Sequence, residues 1–206
     1  MKSPDPADLP GPDAAGLPVL LKTACRAGAS AAEVIAAGDI VCEQRYADLC
    51  RPPHCENYGL SPGCPPHVDG PAGFKKRLAR YRRAVFFRVD VPSEILFSSE
   101  RRECFQLLHE IAAGIERTAV DLGYRNAQAY AGGSCKQIFC PDEAECRLLA
   151  QRGPCRHPLA ARPSMSGFGI DVVRLVKAAG WPVGAVGPDA AADGRLANIY
   201  GLVLID

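Results

Sequence analysis

The sequence is poor in aromatic residues, 7% of 206, with a single tryptophan and two methionines, and it has almost no surplus of charge. Lys+Arg 24 against Asp+Glu 23 leaves a formal +1, so no global field draws the chain to nucleic acid or to an anionic membrane, and neither is expected as a partner. No apolar run approaches the roughly 18 residues a membrane-spanning helix requires. Residues 1–16, MKSPDPADLPGPDAAG, have three aspartates, four prolines and no apolar stretch. They read as a flexible leader rather than a secretory signal, ahead of a single domain over residues 17–206. The expectation is a soluble, cytoplasmic protein. Also missing are a G-x-G-x-x-G turn after a strand, a Walker lysine motif, a nucleophile elbow and an HExxH helix, which removes the common nucleotide-binding, hydrolase and metalloprotease chemistries from consideration.

What the sequence has is cysteine. Of ten, four fall within residues 42–64 and four within 135–155, where even scatter would put about two in all. Without a secretory signal the thiols are expected to stay reduced, which favours metal binding or redox chemistry over disulfides.

Around these windows the hydrophobic pattern is that of an α+β protein. A short amphipathic helix is expected over 17–27, a helix over 71–83 (Phe74, Leu78 and Tyr81 on one face), and a strand over 84–91 stopped by Pro92. A long helix from Ser98 or Ser99 to about Leu122 carries Cys104, Leu108, Ile111 and Ile115 on one stripe, with Gly123 as its stop. A strand over 127–131, a helix from about Ser166 to Ala179, and strands over 182–186 and 199–205 complete a small mixed sheet covered by three or four helices. Cys25 and Cys104, without cysteine neighbours at ligand spacing, read as small core residues, and His109, beside the stripe, as a helix-surface or boundary histidine rather than a ligand.

The two cysteine windows have neither helical nor strand period, so something other than a hydrophobic core must hold them. The second is a C-x4-C-x5-C-x8-C array of Cys135, Cys140, Cys146 and Cys155. Four thiolates suit a closed tetrahedral zinc site or a 4Fe-4S cluster, and the spacing alone selects neither. The absence of histidine from the set and the preceding Gly132-Gly133, which let backbone N–H groups approach sulfur, tilt it toward iron-sulfur. In the first window Cys50, Cys55 and Cys64 are the dense trio, and Pro65 after the last one resembles the cysteine-proline ending of ferredoxin ligand runs. Cys42 is either a fourth ligand or a strand residue; His54 and His67 are possible substitutes. With three ligands, one iron position would stand open to an exogenous ligand.

The runs Cys50-RPPH-Cys55-ENYG, Cys64-Pro65-Pro66, GGSCKQIFC over 132–140, and Cys155-RHPLAARPSM leading into GFGIDV over 167–172 resemble, in this order, the family of predicted metal-binding proteins known as domain of unknown function 2284. The resemblance implies a cysteine-rich iron-sulfur protein of a kind found largely in anaerobic bacteria and archaea. It supports Cys50, Cys55, Cys64, Cys135, Cys140, Cys146 and Cys155 as ligands and leaves Cys25, Cys42 and Cys104 outside its blocks. It supplies no reaction.

The expectation is therefore two 4Fe-4S clusters serving electron transfer or acting as a redox accessory to an anaerobic enzyme system. A zinc-stapled binding or regulatory module and an enzyme with an open iron at the first site are the alternatives. Lys75, Lys76, Arg77, Arg80, Arg82 and Arg83 form a basic run that reads as a solvated helix face or as a docking patch for an acidic redox partner.

Overall fold

The computed structural model describes residues 14–183 and 196–206. Four strands, β1 (Ala31–Ala36), β2 (Arg83–Pro92), β3 (Gln128–Tyr130) and β4 (Leu196–Ile205), form one sheet in the order β1-β2-β4-β3. The α+β class stands as expected, while the sheet, expected as mixed, is antiparallel in each ladder. The reason lies in β4. Strands β2 and β3 do run in the same direction, joined by a helical crossover, but β4 inserts between them and pairs antiparallel with both.

The period of two along β2 and β4 supplies two apolar faces. Val85, Phe87, Val89, Ile199, Val203 and Ile205 point to one side, where α1 (Leu17–Arg26) and α5 (Arg101–Asp121) cover them. Helix α5 contributes Leu108, Ile111, Ala112, Ile115 and Ala119, the stripe its sequence announces. Ala84, Phe86, Leu202 and Leu204 point the other way, onto Phe74 of α3 (Gly70–Leu78), Leu175 and Val176 of α7 (Val172–Ala178), and Met165 and Phe168. Three short helices, α2 (Gln44–Asp48), α4 (Ser93–Leu96) and α6 (Cys135–Phe139), lie in the connections.

Opposite Phe87 on β4 stands Gly201, and a Cβ there would lie 2.2 Å from the Phe87 ring. The ring fills the space a side chain would take. Gly201→Ala is expected to push Phe87 from its rotamer and cost about 2 kcal/mol, read as a lower denaturant midpoint with unchanged slope.

Several boundaries differ from expectation. Helix α3 ends at Leu78 because Arg80 and Tyr81 bond three residues back, to Arg77 and Leu78, tightening the turn into β2. The helix expected from Ser166 is two pieces. A 3-10 turn over Met165–Phe168 stops at Gly169, in the left-handed region at φ 69°, and α7 restarts after Asp171, whose side chain accepts the Arg174 N–H. At Gly169 a Cβ would meet the Glu43 carbonyl oxygen at 2.3 Å, so the break is also where the first cysteine window's approach is packed. Cys104 packs against the α1/α5 core as expected, whereas Cys25 is exposed because α1 buries Leu20 and Ala24 instead. The expected leader lies outside the described residues up to residue 13, and Ala14–Gly16 form a 3-10 turn entering α1. Of the strand expected over 182–186, Pro182 and Val183 carry no regular structure and the rest lies outside the described residues. Among the described residues no helix is long and apolar enough to cross a membrane.

Candidate metal centre

The first cysteine window is a chain of tight turns after α2, and the second is α6 followed by turns to Cys155. With little apolar side chain to bury, both are held by hydrogen bonds to one another and to the segment 162–165. Ser164 N–H donates to the Gly63 carbonyl and Met165 N–H to that of Ala131, while Pro163 accepts from Ala131 N–H. Gly63 lies so near this segment that a Cβ would stand 3.0 Å from Pro163 Cα. Farther out, Asn57 Nδ2 donates to Gln137 Oε1 at 3.2 Å and Gln137 Nε2 to Glu56 Oε1 at 3.1 Å. The two windows are therefore one continuous structure.

All four cysteines of the second window, Cys135, Cys140, Cys146 and Cys155, line one cavity of about 260 Å³. Burial pushes the Cys135 thiol up to about 11, with Cys64, Cys155 and Cys146 adding to the rise and the Ser61 hydroxyl opposing it. The Cys140 thiol is raised as well, first by burial and then by Cys155 and Cys146 against the pull of Arg156 and Lys136. In the first window Cys50 is pushed up to about 11 by burial and by its neighbours Cys55 and Cys64. Cys64 thus acts on both Cys50 and Cys135 and lies at the junction of two trios, 50/55/64 and 140/146/155, with Cys135 between them. Cys50, Cys135 and Cys140, each raised in part by neighbouring thiols, would gain from a cation, which deprotonates its ligands outright.

Polar groups around the array support the same chemistry. Ser61 and Ser134 are buried, and their hydroxyls have no formed hydrogen bond. Ser61 stands near enough to Cys135 to lower its pKa, though without the geometry of a completed bond. His157 N–H donates to Cys155 Sγ at 3.4 Å. Lys136, Arg147 and Arg156 line the cavity with positive charge, Arg156 being paired with Glu143 at 2.8 Å. The donor set fits a metal group held by thiolates. Among the described residues, no three His, Cys, Asp or Glu side chains converge closely enough to hold a single ion.

Cys42 is not part of the array. It is buried in the α3/α7 core and bridges to Ile170, and burial pushes its thiol up to about 11 with Lys75 as the opposing charge. Cys42 is a core residue at an isolated β-bridge rather than part of a strand. Cys42→Ser is expected to leave metal content per chain unchanged while lowering stability by about 1–2 kcal/mol, because a hydroxyl replaces a thiol in an apolar site. Metal analysis alongside chemical denaturation checks both halves.

Sequence reasoning missed His109. It is fully buried on α5, not at a boundary: Nε2 donates to the Gly132 carbonyl at 3.0 Å and Nδ1 accepts the Arg162 N–H at 3.1 Å. Its ring meets Phe139 edge-on at 5.5 Å, and Phe139 stacks on His157 at 5.3 Å. His109 therefore ties the entrance of the second window to its exit. The only sequence signal was its place one residue from Leu108 on the apolar stripe. Gly132 and Gly133 make room for the Phe105 ring and the Ile138 side chain. His67 is engaged, Nε2 lying 3.2 Å from the Gly59 carbonyl, and His54 is exposed.

The fold and the array define a cysteine-rich α+β protein whose unpaired thiols are concentrated in two abutting loops. The chain belongs to the family described as predicted metal-binding protein (DUF2284), whose profile matches residues 33–205. No curated protein and no solved structure matches the chain.

Proposed function

We propose that the protein is an iron-sulfur protein that carries two 4Fe-4S clusters and passes single electrons, as a redox accessory to an enzyme system working without oxygen. The observation that carries this reading is the placing of four cysteines, Cys135, Cys140, Cys146 and Cys155, around one cavity, with Cys64 of the first window acting on Cys135. Cys135, Cys140, Cys146 and Cys155 would hold one cluster, and Cys50, Cys55 and Cys64 three irons of the other. Thiols spread around a cavity suit a cluster that occupies the space between them, whereas zinc needs its ligands close around one point. The nearness of Cys64 to Cys135 would set the clusters side by side, suited to outer-sphere transfer in which no side chain moves a proton. Lys136, Arg147 and Arg156 would favour the more reduced, more negative state of the second cluster.

A docking surface for an acidic redox partner belongs to this reading, in reduced form. Arg77 is paired with Asp69 at 2.8 Å and Arg82 with Asp206 at 2.7 Å, so Lys75, Lys76 and Arg80 are the exposed cations that remain for a partner. Electron transfer to such a partner is expected to slow steeply as ionic strength rises.

The deciding experiment is iron, zinc and sulfide content per chain on protein purified without oxygen, with visible spectra before and after dithionite. About eight irons and a brown band that bleaches on reduction support the reading, and about four irons point to one cluster. A colourless zinc protein overturns it in favour of a metal-stapled binding module.

A further inference from the structure

The sheet ends in β1, which pairs with β2 along one side only. Ala37 N–H donates to the Arg82 carbonyl, in register with the β1/β2 ladder, so Ala31, Glu33 and Ile35 turn their N–H and C=O groups toward β2. The same groups of Ala32, Val34 and Ala36 point outward, and among the described residues no hydrogen bond reaches them. Such an edge is commonly guarded by lysine, proline, a bulge or a covering element. The run AAEVIA over 31–36 has neither lysine nor proline, and its small side chains leave the row open. Glu33 is the one charge, and it stands on the α3/α7 face of the sheet with its cross-strand partner Phe86. Val34 is on the other face, half-buried on the side that α1 covers.

We propose that β1 is the seam of a symmetric dimer, in which β1 of a second copy pairs antiparallel with it and the four strands of each copy form one continuous sheet. An antiparallel edge is complementary to itself under a two-fold axis normal to the sheet, because each outward N–H then meets a C=O of the same row. The register that fits has Val34 opposite Val34 of the second copy. Sliding the pair so that Glu33 faces Glu33 sets like charges opposite one another, and sliding it the other way runs into the 3-10 turn over Ala37–Asp39. With Val34 on the axis, Ala32 pairs with Ala36, Glu33 lies across from Ile35, and two β-branched side chains cover each other. The strand alone is too short for a standard interface. The same axis keeps both copies of α1, which packs on β1, on one face of the sheet, where they flank the seam. The second cysteine window leaves from β3 at the far edge, so its cavity stays clear of the seam whatever metal it holds.

The test is sedimentation equilibrium of the full chain, purified without oxygen and kept in reductant so that the exposed Cys25 forms no disulfide between copies. A mass of twice 21.9 kDa is expected at high concentration. Ala36 is exposed at φ −71° and ψ 137°, a backbone that proline adopts, so Ala36→Pro changes little within one copy but deletes an outward N–H from each. With two hydrogen bonds lost across the seam, its dissociation constant is expected to rise about thirtyfold. Amide exchange at Ala32, Val34 and Ala36 is expected to slow as wild-type protein is concentrated, while exchange at Glu33 and Ile35, already bonded to β2, does not change. Protein that stays at 21.9 kDa up to millimolar concentration overturns the inference. A dimer indifferent to Ala36→Pro overturns it too, as does exchange at Val34 that ignores concentration, because the copies then meet elsewhere. If Ala36→Pro fails to fold, the Val34 exchange of the wild-type chain decides alone.

Discussion

Replacing Cys135 with alanine is expected to cost the protein about half of its bound metal and to loosen both cysteine windows together. Cys135 is the thiol between the two trios, acted on by Cys64 from one side and by Cys155 and Cys146 from the other. It also shares the second cavity with Cys140, Cys146 and Cys155, so removing it leaves three ligands where the cluster takes four. Residues 140–163 have few apolar side chains to bury, and in such segments metal affinity is folding free energy. The local loss is expected to reach several kcal/mol, read as faster amide exchange across residues 134–163 and, through the Ser164 to Gly63 hydrogen bond, across the first window. Cys25→Ala, at an exposed thiol on α1, is the control and is expected to retain full metal and full protection. Undiminished metal in Cys135→Ala would show that the second cavity is not the metal site.

Much of this arrangement was legible in residue spacing, for identifiable reasons. Helix α5 follows its stripe because Leu108, Ile111 and Ile115 repeat at the helical period and little else competes. Strand β2 is equally plain, since Val85, Phe86, Phe87 and Val89 are β-branched or aromatic and Pro92 ends the run. The cysteine windows were recognisable because they lack any period, and Cys135, Cys140, Cys146 and Cys155 of the second line one cavity. What sequence spacing does not encode is placement across the chain. The insertion of β4 between β2 and β3 depends on long-range pairing, so the direction of the ladders was not readable from β2 or β4 alone. Gly169 breaks an otherwise acceptable helix through its close approach to Glu43, some 126 positions earlier in sequence. Cys42 has the same chemistry as the seven others, and only its burial against Ile170 separates it from them.

His109 gives the protein a stability that declines in mild acid. Burial is the main cause that lowers its pKa, to about 4 from the ordinary 6.5; the Gly132 carbonyl opposes the shift and the Arg162 charge reinforces it. The ring is neutral in the fold because Nδ1 must accept the Arg162 N–H, a bond that a protonated nitrogen cannot make. Between pH 6.5 and 4 the unfolded chain binds a proton at this residue and the native chain does not, so stability falls as pH falls through that window and levels off below it. The full span is on the order of 3 kcal/mol. His109→Gln has no titrating ring and is expected to be less stable at pH 7 but flatter with pH. On metal-free protein the carboxylate contributions are common to both, so the difference between their urea midpoints from pH 7 to pH 4.5 isolates the His109 share. Parallel pH curves, or a native His109 ring that titrates near 6.5 by NMR, would mean that the histidine does not lock Gly132 to Arg162. The lock matters beyond stability: it joins the strand-side start of the second window to the chain leaving it. Protonating His109 would therefore open the two ends of the loop that carries Cys135, Cys140, Cys146 and Cys155, and acid release of metal should follow the same midpoint in the wild type and lose that dependence in His109→Gln.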